Sequence, residues 1–124
     1  MNNIHDKVVH DIVSHLNTET YDVYTNPGQE KNAGIGDNYP DVILTEKNGT
    51  TVKFIMEVET VESVSQEEAL RQWKKYVSEI NATFYLVVPV SSLKKAKELC
   101  QREGINARFT TFSVNGETIN FDFQ

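Results

Sequence analysis

The sequence predicts an α/β domain built on a single mixed β-sheet flanked by helices. Three observations predict it. Helical and strand periodicities alternate in the order α-β-β-β-α-β-α-β-β. Residues 83–90, Thr-Phe-Tyr-Leu-Val-Val-Pro-Val, form a near-continuous apolar run, as a strand buried on both faces should. A helical segment between residues 60 and 83 supplies the crossover that a parallel strand pair requires. One sheet with helices packed on it accounts for this order better than a bundle or a barrel.

Residues 3–17 read as an amphipathic helix, with Ile4, Val8, Val9, Ile12, Val13 and Leu16 covering one broad face. Residues 21–25 are a short strand closed by Asn26-Pro27-Gly28, and residues 26–40 form a long polar loop of the kind that is often functional. Strands over 41–46 and 51–60 follow, joined at Lys47-Asn48-Gly49. In the second of them Phe54, Met56 and Val58 point one way and Ile55 the other, which marks a central strand. Ser65-Gln-Glu-Glu68 is a capping box opening a helix over 66–80, whose buried stripe reads as Leu70, Trp73, Val77 and Ile80. Ser91 or Ser92 caps a third helix ending at Gly104, and Cys100 falls on its apolar stripe. The chain closes with a hairpin over 108–114 and 117–123 around Asn115-Gly116.

A length of 124 residues predicts one domain over 1–124. No apolar run approaches a membrane span, and the N-terminus lacks a basic stretch followed by an apolar block. With a single cysteine there is no intramolecular disulfide, and the reading is a cytoplasmic protein. The formal net charge of −6 counts against a high-affinity DNA-binding module, because such modules owe their affinity to phosphate neutralisation. It counts less against an enzyme whose metal ions offset its carboxylates.

Glu57 and Glu59 lie two apart on one strand and so share a face. Whether Asp41 joins them depends on the turn. A two-residue Asn48-Gly49 loop sets Asp41 opposite Met56, facing away. A three-residue Lys47-Asn48-Gly49 loop sets it opposite Ile55, on the glutamates' face and diagonal to Glu57. The three-residue turn is the expectation, because only it gives the carboxylates a common purpose. Strands disfavour Asp and Glu, and clustered like charges at the end of a buried strand destabilise a fold unless a cation binds. Mg²⁺ or Mn²⁺, which prefers oxygen ligands, removes that conflict.

Tyr39-Pro40-Asp41-Val-Ile-Leu followed by Met56-Glu57-Val58-Glu59-Thr60 resembles the signature of the PD-(D/E)xK nuclease superfamily, which includes restriction endonucleases and RecB-type nucleases. The superfamily's α-β-β-β-α-β core matches residues 3–90 in order, with a helix and the C-terminal hairpin added. The resemblance therefore implies a restriction endonuclease-like fold. Gln72-Trp-Lys-Lys-Tyr76 resembles the Q-x-x-x-Y motif of the RecB-like branch. By position, the resemblance implies that Asp41, Glu57 and the backbone carbonyl of Val58 hold the metal. Gln72 and Tyr76 either reach the metal or a substrate phosphate, or are ordinary helix-edge packing. Glu59 stands where the motif has lysine. It can bind metal or act as a general base but carries no positive charge. Lys75, on the flank of Gln72, is the best substitute cation, since Lys53 lies about 20 Å from Glu59 at ~3.3 Å per residue. The implied activity is a metal-dependent endonuclease acting on DNA, with recognition supplied by a homodimer or a protein partner. The alternative is a catalytically silent binding or assembly module.

Other signals are weaker. His5, His10 and His15 fall on three sides of a helix and form no common zinc site. Asp11 and His15 border the apolar face and read first as a surface pair, second as groups that approach the site. Lys94, Lys95, Lys97 and Arg102 make the third helix basic, most simply a solvated face.

Overall fold

The computed structural model describes residues 4–26 and 31–123. Asn3, Pro27 and Gly28, which the sequence reading placed in the first helix and the first turn, lie outside them. Six strands form one mixed sheet whose spatial order follows the chain. They are β1 (Tyr21–Thr25), β2 (Val42–Glu46), β3 (Val52–Val58), β4 (Thr83–Pro89), β5 (Arg108–Asn115) and β6 (Thr118–Phe123). The pairs β3–β4 and β4–β5 are parallel, and the other three are antiparallel. The helix-mediated crossover after β3 is therefore present, as the apolar run of β4 demands.

Three helices cover this sheet: Ile4–Val13, a second over residues 66–79, and Leu93–Glu103. The first packs Val8, Val9 and Ile12 onto Val42, Leu44, Met56 and Val58. On the other face Trp73, Ile80, Ala96 and Leu99 pack against Ile43, Ile55, Leu86 and Val88. Strand β3 thus alternates between two cores, and no helix among the described residues is long and apolar enough to cross a membrane.

Local chemistry corrects several boundaries. The first helix stops at Val13 because Ser14, His15 and Leu16 turn their N–H groups to carbonyls three residues back, a tightened last turn. Ser65 caps the second helix, its Oγ accepting from Glu68 N–H. That helix then runs through a π-helical stretch, Ala69–Trp73, in which Lys74 N–H reaches Ala69 O. Such a turn shifts the phase of the 3.6-residue repeat. The inward residues become Ala69, Trp73, Tyr76 and Ile80, while Leu70, expected in the stripe, is 46% exposed. Neither serine caps the third helix through its side chain. The 3₁₀ turn Val90–Ser92 leads into it, with Leu93 N–H bonded to Val90 O. Gly104 ends it at φ 69, as expected of a left-handed cap, and Cys100 is buried. In the last hairpin Asn115 pairs with Thr118, which moves the turn to Gly116-Glu117.

The β2–β3 hairpin departs from both turns weighed from the sequence. Thr45 pairs with Val52 and Glu46 N–H donates to Thr51 O at 2.9 Å, so the loop is four residues, 47–50. Asn48, not glycine, takes the left-handed conformation at φ 58. A Cβ on Gly49 would meet the Glu46 side chain, which is exposed and can swing aside. Carried straight through, this register sets Asp41 opposite Met56, on the wrong face. Between Leu44 and Thr45 the register slips, because Leu44 pairs with Phe54 and leaves Lys53 as an extra residue. The bulge restores parity: Val42 faces Met56, and one residue further Asp41 comes across from Glu57.

Candidate functional site

Asp41 sits just before β2 and is held by backbone on two sides. Its N–H donates to Glu57 Oε1 at 3.2 Å, and its Oδ2 accepts from Val58 N–H at 2.8 Å. His5 Nε2, from the first helix on the opposite sheet face, lies 3.0 Å from the same Oδ2. The other ring nitrogen of His5 faces Asp6 Oδ1 at 2.9 Å. With a carboxylate at each nitrogen, both nitrogens donate and the ring is an imidazolium. The bond to Asp41 is the main reason the imidazole is pushed up to about 9.

Glu59 lies one residue past β3, tied to the sheet by its N–H to Val87 O at 2.8 Å. Only 2% exposed, it accepts at Oε2 from the Trp73 indole N–H at 2.9 Å. Burial pushes its carboxyl up to about 8, against the hydrogen bonds from Ser63 and Trp73. Glu57, 5% exposed, is raised well above the ordinary glutamate range, by burial first and then by the charges of Asp41 and Glu59.

The second helix completes the cluster. Glu68 accepts from Arg71 at 3.0 Å and turns its other oxygen inward. Gln72 is oriented with its amide nitrogen toward the carboxylates, the orientation in which its oxygen also meets a donor. It donates to Glu57 Oε2 at 2.9 Å and to Glu68 Oε2, and accepts from Tyr76 OH at 3.2 Å. Burial raises the Tyr76 phenol above its ordinary value, so it stays protonated as that donor. Glu57, Glu59 and Glu68 each offer an oxygen, all within 4.8 Å of one another. A cavity of about 280 Å³ opens onto these groups, with His5, Asp41 and Gln72 on its walls.

Asp41, Glu57, Glu59, Gln72 and Tyr76 are thus brought together. Lys75 is not: its Nζ donates to Asn38 Oδ1 at 2.8 Å and to Asp37 at 3.3 Å, which draws it toward the 31–40 loop and away from the cavity. Val58 lines the cavity, but the bond seen there is its N–H to Asp41. Asp11 pairs with Lys7 and His10 instead of approaching the site, and His15 rests its ring on Phe121. Two further participants come from the helices. The sequence reads Glu68 as a capping residue, yet it precedes Gln72 and Tyr76 at four-residue spacing, which sets it on their flank. His5 shares no zinc site with its helix neighbours, and nothing local ties it to a residue 36 positions away.

The pH dependence of stability follows. Glu57 and Glu59 have folded-state values above their ordinary ones, so their relative contribution is complete below about 4.5 and, for Glu59, lost as pH rises through about 8. The His5 contribution is complete below about 6.5 and lost through about 9. All three act in one direction. The metal-free protein is expected to melt at steadily lower temperature between pH 5 and pH 9, and a rising trend in calorimetric scans would contradict this arrangement.

Scans of the chain against family models, curated proteins and solved structures return no match.

Proposed function

We propose that this chain is a divalent-metal-dependent phosphodiesterase acting on DNA, built on a restriction endonuclease-like core of the PD-(D/E)xK kind. The observation that carries the reading is the convergence of Glu57, Glu59 and Glu68 within 4.8 Å at the mouth of a cavity. The donor set fits Mg²⁺ or Mn²⁺, since it is all oxygen and its buried carboxylates need a cation to ionise. Asp41 was expected as a ligand with Glu57 and the Val58 carbonyl. Its Oδ2 is committed to Val58 and His5, so Oδ1 is the oxygen a metal would take, while the Asp41 backbone N–H fixes Glu57. When bound, the ion polarises a phosphate oxygen and lowers the pKa of its water. Gln72 orients Glu57 and Glu68 through one amide group, and Glu59, as a base poised near neutrality, can hold a proton at Oε1, its Oε2 being taken by the Trp73 N–H. A small core offers limited surface for reading DNA, which favours a homodimer or a partner protein for recognition.

One observation favours the alternative, a catalytically silent binding module. Among the described residues no lysine or arginine lines the cavity, and Trp73 holds the carboxylate standing at the motif lysine. Plasmid cleavage with Mg²⁺ and Mn²⁺ separates the two. The wild type is expected to nick DNA and Asp41→Ala to lose about 100-fold or more. Equal rates would leave only the binding module.

A further inference from the structure

Asn26, the residue after β1, carries a buried polar side chain that does not face the carboxylate cavity. Only 2% exposed, it donates from Nδ2 to Ala33 O at 2.7 Å and to Pro40 O at 2.8 Å. Its Oδ1 accepts from Ala33 N–H at 2.7 Å. These partners fix the orientation of the amide, because the reverse would set its oxygen against two carbonyls. The Asn26 backbone N–H donates to Asp41 O at 3.0 Å, which carries the β1–β2 pairing one step past Thr25 and Val42.

We infer that Asn26 is a positioning residue of the carboxylate cluster, acting on it through Asp41. A peptide unit is planar, so Pro40 O and Asp41 N–H move together. Asn26 Nδ2 holds the oxygen end of that plane, while Glu57 Oε1 accepts from the N–H end at 3.2 Å. The next plane is held at Asp41 O by the Asn26 N–H. One residue thus grips both planes flanking the Asp41 Cα, which restricts φ and ψ there and aims the carboxylate at Val58 N–H, 2.8 Å away. Asn38 is tied separately to the second helix by Lys75 at 2.8 Å and Glu79 at 3.1 Å. Loss of the Asn26 amide therefore strands the carbonyls of Ala33 and Pro40 and frees the plane that orients Glu57, while that attachment persists. The grip on Asp41 stands without a metal, and only its effect on metal affinity rests on the proposed metal site.

Hydrogen exchange in EDTA and Mn²⁺ calorimetry on the wild type, Asn26→Ala and Asn26→Asp, well below melting, test it. In both variants the Asp41 and Val58 amides are expected to exchange at least tenfold faster while the Glu59 amide, bonded to Val87 O, keeps its rate. Mn²⁺ is expected to bind at least tenfold more weakly, as when other groups that orient metal ligands are removed. Asn26→Asp keeps an acceptor for Ala33 N–H but has no donor for Pro40 O, so it should fare no better than alanine. In the wild type itself the Asn26 side-chain amide protons should be protected, and exchange at the rate of a free amide would overturn the inference. So would wild-type exchange at Asp41 and Val58 in either variant, an undiminished Mn²⁺ affinity, or equal acceleration of all three amides, which reports lowered global stability alone. A wild type that binds no Mn²⁺ removes the metal site, and the exchange rates then decide the grip on Asp41 by themselves.

Discussion

Glu57→Gln is expected to raise the melting temperature of the metal-free protein at pH 8 and to abolish its Mn²⁺ binding. The two effects have one cause. Glu57 is 5% exposed and faces Asp41 and Glu59, so holding it as an anion costs solvation and repulsion together, and holding it neutral costs a proton taken up against the bulk pH. Glutamine keeps the shape and can still accept the Asp41 N–H at Oε1. The bond from Gln72 is recovered if that amide turns over. Relief of about 2 kcal/mol is the expected order, roughly 8 °C at about 4 °C per kcal/mol. Without the central carboxylate, Glu59 and Glu68 no longer supply a three-oxygen set. Differential scanning calorimetry and titration calorimetry read the two halves separately. A variant that melts lower than wild type and still binds Mn²⁺ would show that Glu57 is a structural acid.

Trp73→Ala is expected to be the most destabilising single change in the second helix. Trp73 is 0% exposed and sits among Ile43, Ile55, Leu86 and Ala96. Truncation to alanine costs about 3–5 kcal/mol in such a position, or roughly 12–20 °C. It also removes the N–H that meets Glu59 Oε2, leaving a buried carboxyl oxygen unpaired. Trp73→Phe isolates that second loss. It keeps most of the packing, and its signature is a Glu59 carboxyl pushed higher still, so that Mn²⁺ binding shifts to more alkaline pH. Thermal denaturation followed by circular dichroism checks the alanine variant, and a loss below about 1 kcal/mol would mean that the indole is not a core element.

The elements that sequence periodicity exposed were those whose burial is decided locally. The apolar run of β4 and the alternation of Met56, Glu57 and Val58 can each be read from a few neighbouring residues, because strand geometry alone sorts their side chains. The three-residue turn does not form, because two conditions act on the hairpin at once. Turn chemistry around Asn48 and Gly49 governs the tip, whereas burial of Val42 and Met56 in one core governs the other end. These conditions differ by one residue, and Lys53 takes up the difference. Leu70 was misplaced for a related reason, since a π-helical stretch cannot be seen in a pattern tested against a 3.6-residue repeat. His5 and Glu68 reach the cluster from separate helices, through contacts that only the assembled sheet creates.

The bulge also decouples the hairpin tip from the acidic end of the sheet. If Lys53 were deleted, Thr45 would still face Val52 and Leu44 would still face Phe54, now as consecutive rungs of an unbroken ladder. Asp41 would remain across from Glu57. A joint that stores one spare residue lets the tip gain, lose or exchange residues while the far end keeps its alignment. The tip at residues 47–50 is anchored to the β1 side instead, through Asn48 N–H to Asp22 Oδ2 at 2.9 Å and Lys47 Nζ to Thr18 O at 2.9 Å, so strain there is taken up away from the carboxylate cluster.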